Sequence, residues 1–326
     1  MPFSDFVGQA HIIRFLEKGI SSGRLSHGLL FSGPGGSGKG TLALLLAQAV
    51  NCGSRGQVPC GTCLSCRKAA GMNHPDVRII ARDGAHIKME QARSLRQGAA
   101  LPPYEGRKKV YIIDGAEDMT APAANSLLKI LEEPPSYLLF ILLSSRPQQL
   151  LPTILSRCQA LPFRPVPEEE IASYLLEKTG DMLPGEARTY ASLAQGCVGK
   201  ALLLYQDKEF AALREKAAAF LQDLADIKAE EAFPLAETLA GLKDPGLFLD
   251  LTLLYLRDIL LYKRPHAVGR LYYADFETSL QKFTHIPDRV LLQVIKSVLA
   301  ARNELAVPVN QKLVLGVMLL ELKEVI

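Results

Sequence analysis

The amino-acid sequence predicts an α/β domain followed by two helical domains, and three observations lead to that prediction. Short apolar runs alternate with amphipathic stretches over residues 1–165, as in a mainly parallel sheet wound with helices. The proline-rich segment LPFRPVPEEE (161–170) marks a boundary. From about residue 207 the chain is rich in Ala, Leu, Glu and Lys. We therefore expect an α/β domain over 1–165, a small helical domain over 166–206 and a helical bundle over 207–326.

Composition and charge limit the classes of function. The 326 residues are 48% hydrophobic and 22% charged, which is typical of globular domains, and the net charge is only +3. So balanced a chain is not expected to bind nucleic acid tightly on its own. The sequence starts without a signal-peptide pattern, and its apolar segments are interrupted before the roughly 20 residues that a membrane span needs. We expect a soluble, cytoplasmic protein.

The elements of the first domain follow from these patterns in order. The predicted strands are GLLFSG (28–33), VRII (77–80), KVYIID (109–114) and LLFILLSS (138–145). The segment AANSLLKILEEPP predicts a helix with one apolar face, because Ala124, Leu127, Leu128 and Leu131 recur at helical spacing. Pro134 and Pro135 end it.

The segment GPGGSGKG (33–40) follows a predicted strand and precedes a predicted helix, which is the context of a phosphate-binding loop. Its glycines let backbone amides converge on phosphate oxygens, and Lys39 adds a positive charge. The alternative is a glycine-rich turn. Gly40 stands where the motif has the Ser or Thr that binds Mg²⁺, and Thr41 lies about 100° further around the helix.

Asp114 ends the third predicted strand, where a carboxylate can organise a nucleotide-bound metal. The alternative is a turn-forming aspartate. Many ATPases of this build carry a glutamate next, but this chain has Gly115. Glu117 and Asp118 lie beyond the strand end, so the sequence predicts that the catalytic glutamate is absent.

Four cysteines, Cys52, Cys60, Cys63 and Cys66, lie within fifteen residues in a loop rich in Gly and Pro. Four thiolates can close a tetrahedral Zn²⁺ site with no open position, which indicates a structural metal. The alternative is four free cysteines, and thiolates accept other soft metals as well. Cys158 and Cys197 stand apart and are expected to be buried residues.

Two arginines, Arg146 and Arg157, follow the fourth predicted strand and could reach a phosphate. From composition alone, the alternative of solvated surface arginines is favoured. The histidines show no pairing typical of a metal or nucleophile set, and His27 and His74 are expected in turns or packing.

Taken together, these motifs resemble the AAA+ clamp-loader subunits of bacterial DNA polymerase III, most nearly the delta-prime type. The resemblance rests on FSDFVGQAHIIRFLEKGISSGRLSHGLLFSGP, the four-cysteine insertion at 52–66, NHPDVRII, AANSLLKILEEPP and ILSRCQALPF. It covers the first 165 residues with high specificity. It implies a P-loop AAA+ domain, a small helical lid domain over 166–206 and a C-terminal helical collar that joins the subunits over 207–326.

The resemblance also implies roles for single residues. Arg157 matches an arginine finger that acts on a neighbouring subunit's ATP site, and Ser144 or Ser145 matches the sensor position. Val7, Gly8 and Gln9 match the segment beside the adenine. The implied ligands are structural Zn²⁺ on the cysteines and ATP or ADP at a degenerate site. The residues expected to bind the nucleotide are Val7, Gly8, Gly33, Gly35, Gly36, Ser37, Gly38, Lys39, Gly40, Thr41 and Asp114.

Three departures from the active subunits bear on function. Gly40 replaces the metal-binding hydroxyl, Gly115 replaces the glutamate, and Gly199 stands where those subunits carry a small-domain arginine. We therefore expect a subunit without ATPase activity of its own that donates Arg157 in trans while the sliding clamp is loaded onto primed DNA. Its expected partners are gamma/tau-type and delta-type subunits and, through the assembly, the clamp and DNA. The alternatives are an active gamma/tau-like ATPase and a zinc-dependent nucleic-acid-binding module.

Overall fold

A five-stranded, fully parallel sheet forms the centre of the first part of the chain in the computed structural model. The structure describes residues 2–54, 56–226, 229–264, 271–305, 307 and 309–325. The strands, in chain order, are Gly28–Ser32 (β1), Val77–Ile80 (β2), Lys109–Asp114 (β3), Leu138–Ser144 (β4) and Gln159–Pro162 (β5). They are arranged in the order β2-β3-β4-β1-β5. The four predicted strands are confirmed to within one residue.

Strand β5 is a strand that the sequence did not predict. It pairs with β1 at the edge of the sheet, and of its four residues only Leu161 is buried. Its last residue is Pro162, which lacks a backbone N–H and is tolerated at an edge. A short strand without a continuous apolar run gives little signal in the sequence.

Helices cover both faces of this sheet, and two hydrophobic clusters fill the space between. All seven residues of β4 are buried, so this strand appears in the sequence as a continuous apolar run. The helices of this part are Ala10–Ser21 (α1), Lys39–Val50 (α2), Leu64–Ala70 (α3), Met89–Ala99 (α4), Ala121–Glu132 (α5) and Pro152–Leu155 (α6). The apolar face predicted for α5 is confirmed, since Ala124, Leu127 and Leu131 are buried and Leu128 packs against the same cluster.

The remainder of the described chain is helical and carries no strand among its described residues. Its helices are Glu168–Thr179 (α7), Pro184–Leu193 (α8), Val198–Gln206 (α9), Lys208–Asp226 (α10), Ala232–Ala240 (α11), Pro245–Tyr262 (α12), Glu277–Lys282 (α13), Asp288–Glu304 (α14) and Gln311–Val325 (α15). Helix α12 packs against α10 and α14, and α15 packs against α11 and α14. The predicted helical character of the C-terminal part is confirmed.

Two compact units result from this arrangement. The first contains the residues up to Glu170 together with Gln195–Lys200, and the second contains Ile171–Ala194 and the described residues from Ala201 onward. The expected division of the helical part at residue 206 stays a prediction. Among the described helices, none is both long and apolar enough to cross a bilayer.

Candidate nucleotide cavity and cysteine cluster

The predicted phosphate-binding loop connects β1 to α2 in the first unit. Strand β1 ends at Ser32, and α2 begins at Lys39, as the sequence predicts. Gly36 and Gly38 have φ of +76° and +89°, a conformation that favours glycine. A Cβ on Gly38 would also lie 2.8 Å from Cζ of Phe6. The glycines therefore give the loop a shape that side chains would disturb.

A cavity of about 490 Å³ opens beside this loop, at the carboxyl ends of β1, β3 and β4. Of the residues predicted to bind a nucleotide, Gly35, Gly36, Gly38–Thr41 and Asp114 line it. Gly33 and Ser37 belong to the loop, and Ser37 is buried with its Oγ lacking a hydrogen-bond partner in the described structure. A buried donor without a partner fits a loop that receives a phosphate oxygen.

Lys39 lies along the loop in this structure. Its Nζ donates hydrogen bonds to the carbonyl oxygens of Gly33 (2.7 Å) and Pro34 (2.8 Å). Burial lowers the pKa of Lys39, and the nearby carboxylates of Glu117 and Asp114 oppose that shift. The ammonium therefore shares the cavity with negative charge that the chain itself supplies.

Val7 and Gly8 were expected beside the adenine. In the structure they lie in a segment anchored next to the loop, and neither residue lines the cavity. The side-chain amide of Gln9 donates to the carbonyl of Arg164 (2.6 Å) and accepts from its N–H (2.9 Å). Gly8 has φ of +72°, and a Cβ there would lie 2.5 Å from Val166. This anchoring holds Phe6 against Gly38.

The three positions where the sequence departs from active ATPases differ in the room they offer. At Gly40, an added Cβ would meet only Leu143, at 3.9 Å. Gly115 has φ of +73°, which strains any side chain. At Gly199 a Cβ would lie 2.9 Å from the carbonyl oxygen of Gly36, to which the Gly199 N–H donates at 2.8 Å. Position 40 is open, position 115 is strained, and position 199 is closed by the loop itself.

Glu117 lines this cavity, although the sequence predicted that it lies beyond the strand end and away from the site. Gly115 turns the chain after β3 into a one-turn helix, Ala116–Asp118, which directs Glu117 back into the cavity. Its side chain is 3% exposed, and its Oε1 accepts hydrogen bonds from the N–H (2.9 Å) and hydroxyl (2.7 Å) of Ser145. Burial raises the pKa of Glu117, but these and neighbouring hydrogen bonds outweigh burial and lower it to about 2.

Charged side chains line the mouth of the same cavity. Arg146 follows Ser145 and forms an ion pair with Asp118 (3.0 Å), which Arg82 approaches at 3.6 Å. Arg146 is half-exposed. The structure therefore brings Arg146 to the cavity, although the sequence alone favoured a solvated surface residue.

Arg157 lies outside the lining of this cavity, just after the short helix α6. Its Nη2 forms an ion pair with Oε1 of Glu132 (2.6 Å), and its Nη1 donates to the carbonyl oxygen of Thr153 (2.9 Å) and to Oγ of Ser156 (3.1 Å). The side chain is 32% exposed. Arg157 is therefore held at the surface of its own unit.

The four predicted cysteines converge on one point. Their sulfur atoms all lie within 4.8 Å of one another, with 4.0 Å between Cys52 and Cys63 and between Cys60 and Cys66. Tetrahedral Zn–S bonds of about 2.3 Å require sulfur atoms about 3.8 Å apart. The N–H of Cys63 donates to the Cys60 sulfur and lowers its pKa to about 6, whereas burial raises that of Cys66 to about 12. The donor set fits a structural zinc ion.

Hydrogen bonds connect this cluster to the loop before β3. Asn51, next to Cys52, accepts from the N–H of Lys108 (2.8 Å) and donates to its carbonyl oxygen (3.0 Å). The buried carboxylate of Asp76 accepts the backbone N–H groups of residues 104–106, at 2.6–2.9 Å. Burial raises the pKa of Asp76, but these bonds outweigh it and the net shift is downward.

Comparisons with known proteins give the family of this chain. A family model described as "DNA polymerase III, delta subunit" matches residues 8–167. The DNA polymerase III subunit delta' of Bacillus subtilis (strain 168) is 34% identical over 320 residues, which cover 97% of this chain and 96% of that protein. The DNA polymerase III subunit gamma/tau of Mycobacterium tuberculosis (strain ATCC 25618 / H37Rv) is 38% identical over 175 residues, 53% of this chain and 30% of that protein.

Among solved structures, a DNA polymerase III gamma-subunit-related protein of Thermotoga maritima covers 95% of this chain and 98% of its own, at 21% identity. The TM-score of this comparison is 0.44. The sheet order and the loop between β1 and α2 define a P-loop protein of the AAA+ class. Within that class, the chain belongs to the family of DNA polymerase III delta-prime subunits.

Proposed function

We propose that this chain is a clamp-loader subunit that hydrolyses no ATP itself and supplies Arg157 to the ATP site of a neighbouring subunit. The observation that carries the proposal is the closure of its own cavity to catalytic side chains. A glutamate at position 115 meets a strained backbone, and an arginine at position 199 meets the carbonyl of Gly36. The cavity has the phosphate-binding loop but carries glycine at the three positions expected to act on a γ-phosphate, 40, 115 and 199.

The surroundings of Arg157 support its role as a donor. The side chain lies apart from its own cavity and is bound to Glu132, an exposed counter-charge that a phosphate of another subunit can replace. An arginine finger stabilises charge that develops in the transition state of phosphoryl transfer, and its contribution is about 10³- to 10⁵-fold in rate. A subunit can therefore control ATP hydrolysis by its neighbour without hydrolysing ATP itself.

The remaining assignments follow from this role. We propose that residues 1–165 form the AAA+ domain, 166–206 a lid, and 207–326 a collar that joins gamma/tau-type and delta-type subunits. The cavity would hold ATP or ADP through the loop amides and Lys39. The four cysteines would hold zinc as a structural ion. This chain would act on the sliding clamp and primed DNA as part of the assembled loader. It would do so during DNA replication in the cytoplasm.

The test is ATP hydrolysis by the reconstituted loader with clamp and primed DNA. We expect Arg157→Ala to reduce turnover by at least a hundredfold and Lys39→Ala to leave it within about twofold. The matched control is Arg24→Ala, which removes an exposed arginine of the same unit. Normal turnover with Arg157→Ala would contradict the donor role.

One observation favours a second candidate, an active gamma/tau-like ATPase. Glu117 lies in the cavity with the Oε2 of its carboxylate unpartnered, so it could substitute for the missing glutamate. That candidate requires Lys39→Ala to lower turnover of the loader as strongly as Arg157→Ala does. The same pair of variants therefore separates the two functions.

A further inference from the structure

Glu117 takes up the hydrogen-bond donors that face the phosphate-binding loop. Strands β1 and β4 are adjacent, with Ser32 opposite Ser144, and the N–H of Gly33 donates to the Ser144 carbonyl (3.1 Å). Ser145 therefore follows β4 at the point where the loop follows β1. Both of its donors, N–H and hydroxyl, are bound to one oxygen of Glu117. A terminal phosphate arriving there would find these donors already in use.

The charge of Glu117 acts in the same direction. Hydrogen bonding holds its pKa at about 2, so the side chain is an anion at neutral pH. Its other oxygen is buried without a partner, and the nearest guanidinium nitrogen of Arg146 is 3.9 Å from Oε1. A buried carboxylate that is only partly compensated repels a second anion strongly, because water does not screen it.

We infer that Glu117 occupies the position of a terminal phosphate and makes this cavity selective for a nucleoside diphosphate over a triphosphate. The inner phosphates would lie on the loop amides between Gly35 and Lys39, which Glu117 leaves available. The inference deepens the proposed function and rests on it, since a cavity that excludes triphosphate hydrolyses none. It names Glu117 as the residue that determines the ligand.

The test measures the affinity of the full-length chain for ADP and for ATPγS by isothermal titration calorimetry. We expect the unmodified chain to bind ADP at least about tenfold more tightly than ATPγS, the size of one charge-assisted hydrogen bond. Glu117→Gln removes the charge, and Glu117→Ala also frees Ser145. The affinity for ATPγS should rise about tenfold with Gln and further with Ala, with ADP affinity unchanged.

The matched control is Asp118→Asn. It removes one negative charge from the same cavity, but Asp118 pairs with arginines and leaves Ser145 bound to Glu117. We expect it to leave the preference for ADP intact. An equal gain in ATPγS affinity from Asp118→Asn and Glu117→Gln would overturn the inference, because general charge would then explain the selectivity.

Ser145→Ala tests whether the Ser145 hydroxyl contributes to ATPγS binding once Glu117 is removed. In the unmodified chain it should hardly change ATPγS affinity, because Glu117 already uses the hydroxyl; in Glu117→Ala it should remove part of the gain. Failure of Glu117→Gln to gain ATPγS affinity overturns the inference, whether or not the unmodified chain binds nucleotide. That outcome leaves the loader assay with Arg157→Ala unaffected, so the two failures are distinguishable. If Glu117→Ala does not fold, Glu117→Gln and Ser145→Ala decide the question.

Discussion

The cysteine cluster and the nucleotide cavity lie in the same unit, and they differ in the side chains available for binding or catalysis. The cluster presents four sulfur ligands, all within 4.8 Å of one another. The cavity has the backbone of a phosphate-binding loop, with Gly36 and Gly38 in left-handed conformations, but it has glycine at positions 40, 115 and 199. Both sites are well formed in their backbone, but they differ in the side chains that they present.

This difference separates the shape of a site from its chemistry. The loop between β1 and α2 is fixed by strand pairing, by glycine and by the contact with Gly199, so it persists without catalytic side chains. The geometry of the cysteine cluster is defined by the positions of its four ligands, so a metal bound there would link segments that few other contacts join. We therefore expect losses in the cluster to affect stability most, and changes in the cavity to affect stability according to the room at each position.

The largest effect is expected from disrupting the cysteine cluster, the proposed zinc site. Cys66→Ser should reduce bound zinc from about one per chain to almost none and lower the melting temperature by roughly 10 °C or more, because closed structural sites contribute directly to folding. Metal content by mass spectrometry and thermal unfolding measure both. Cys158→Ser, which alters a half-buried cysteine outside the cluster, is the control and should retain the metal. Full zinc content in Cys66→Ser would contradict the assignment.

The next largest effect is expected in the pH dependence of the free energy of unfolding, through Glu117 in the cavity. The pKa of Glu117 is about 2 in the folded chain, below its ordinary value of 4.5, so its stabilisation is present above about pH 4.5 and is lost as the pH falls towards 2. Glu117→Gln should lower the free energy of unfolding by up to about 3 kcal/mol at pH 7 and change it little at pH 2. Urea unfolding across that range measures the difference. A cost independent of pH would show that packing, not charge, holds Glu117.

A feature of this unit can be predicted from the sequence when the residues that determine it lie close together in the chain. Buried strands such as β4 are continuous apolar runs, and the cysteines lie close together, so both are visible locally. Glu117 lies three residues after Asp114, and only the turn at Gly115 directs it into the cavity. Closure at Gly199 depends on its contact with Gly36, more than 160 residues away, which no local pattern contains.

A smaller effect on the free energy of unfolding is expected at one of two glycines that both occupy the second position of a helix. Gly199→Ala should destabilise the first unit by about 2 kcal/mol, because the new Cβ would lie 2.9 Å from a loop carbonyl. Gly40→Ala is the matched control and should be neutral or stabilising by up to about 1 kcal/mol, since its surroundings are open and alanine favours helix. Equal costs at the two positions would show that the loop yields at Gly199.

The smallest effect should come from the ion pair that holds Arg157. Glu132→Gln removes the counter-charge, so the guanidinium can move to a neighbour's phosphate without breaking this bond. Because exposed ion pairs contribute at most about 1 kcal/mol, turnover of the reconstituted loader should rise by only about two- to fivefold. The control is Glu133→Gln, an exposed glutamate one residue along, which should leave turnover unchanged. A fall in turnover with Glu132→Gln would mean that Glu132 positions Arg157 for the neighbour rather than restraining it.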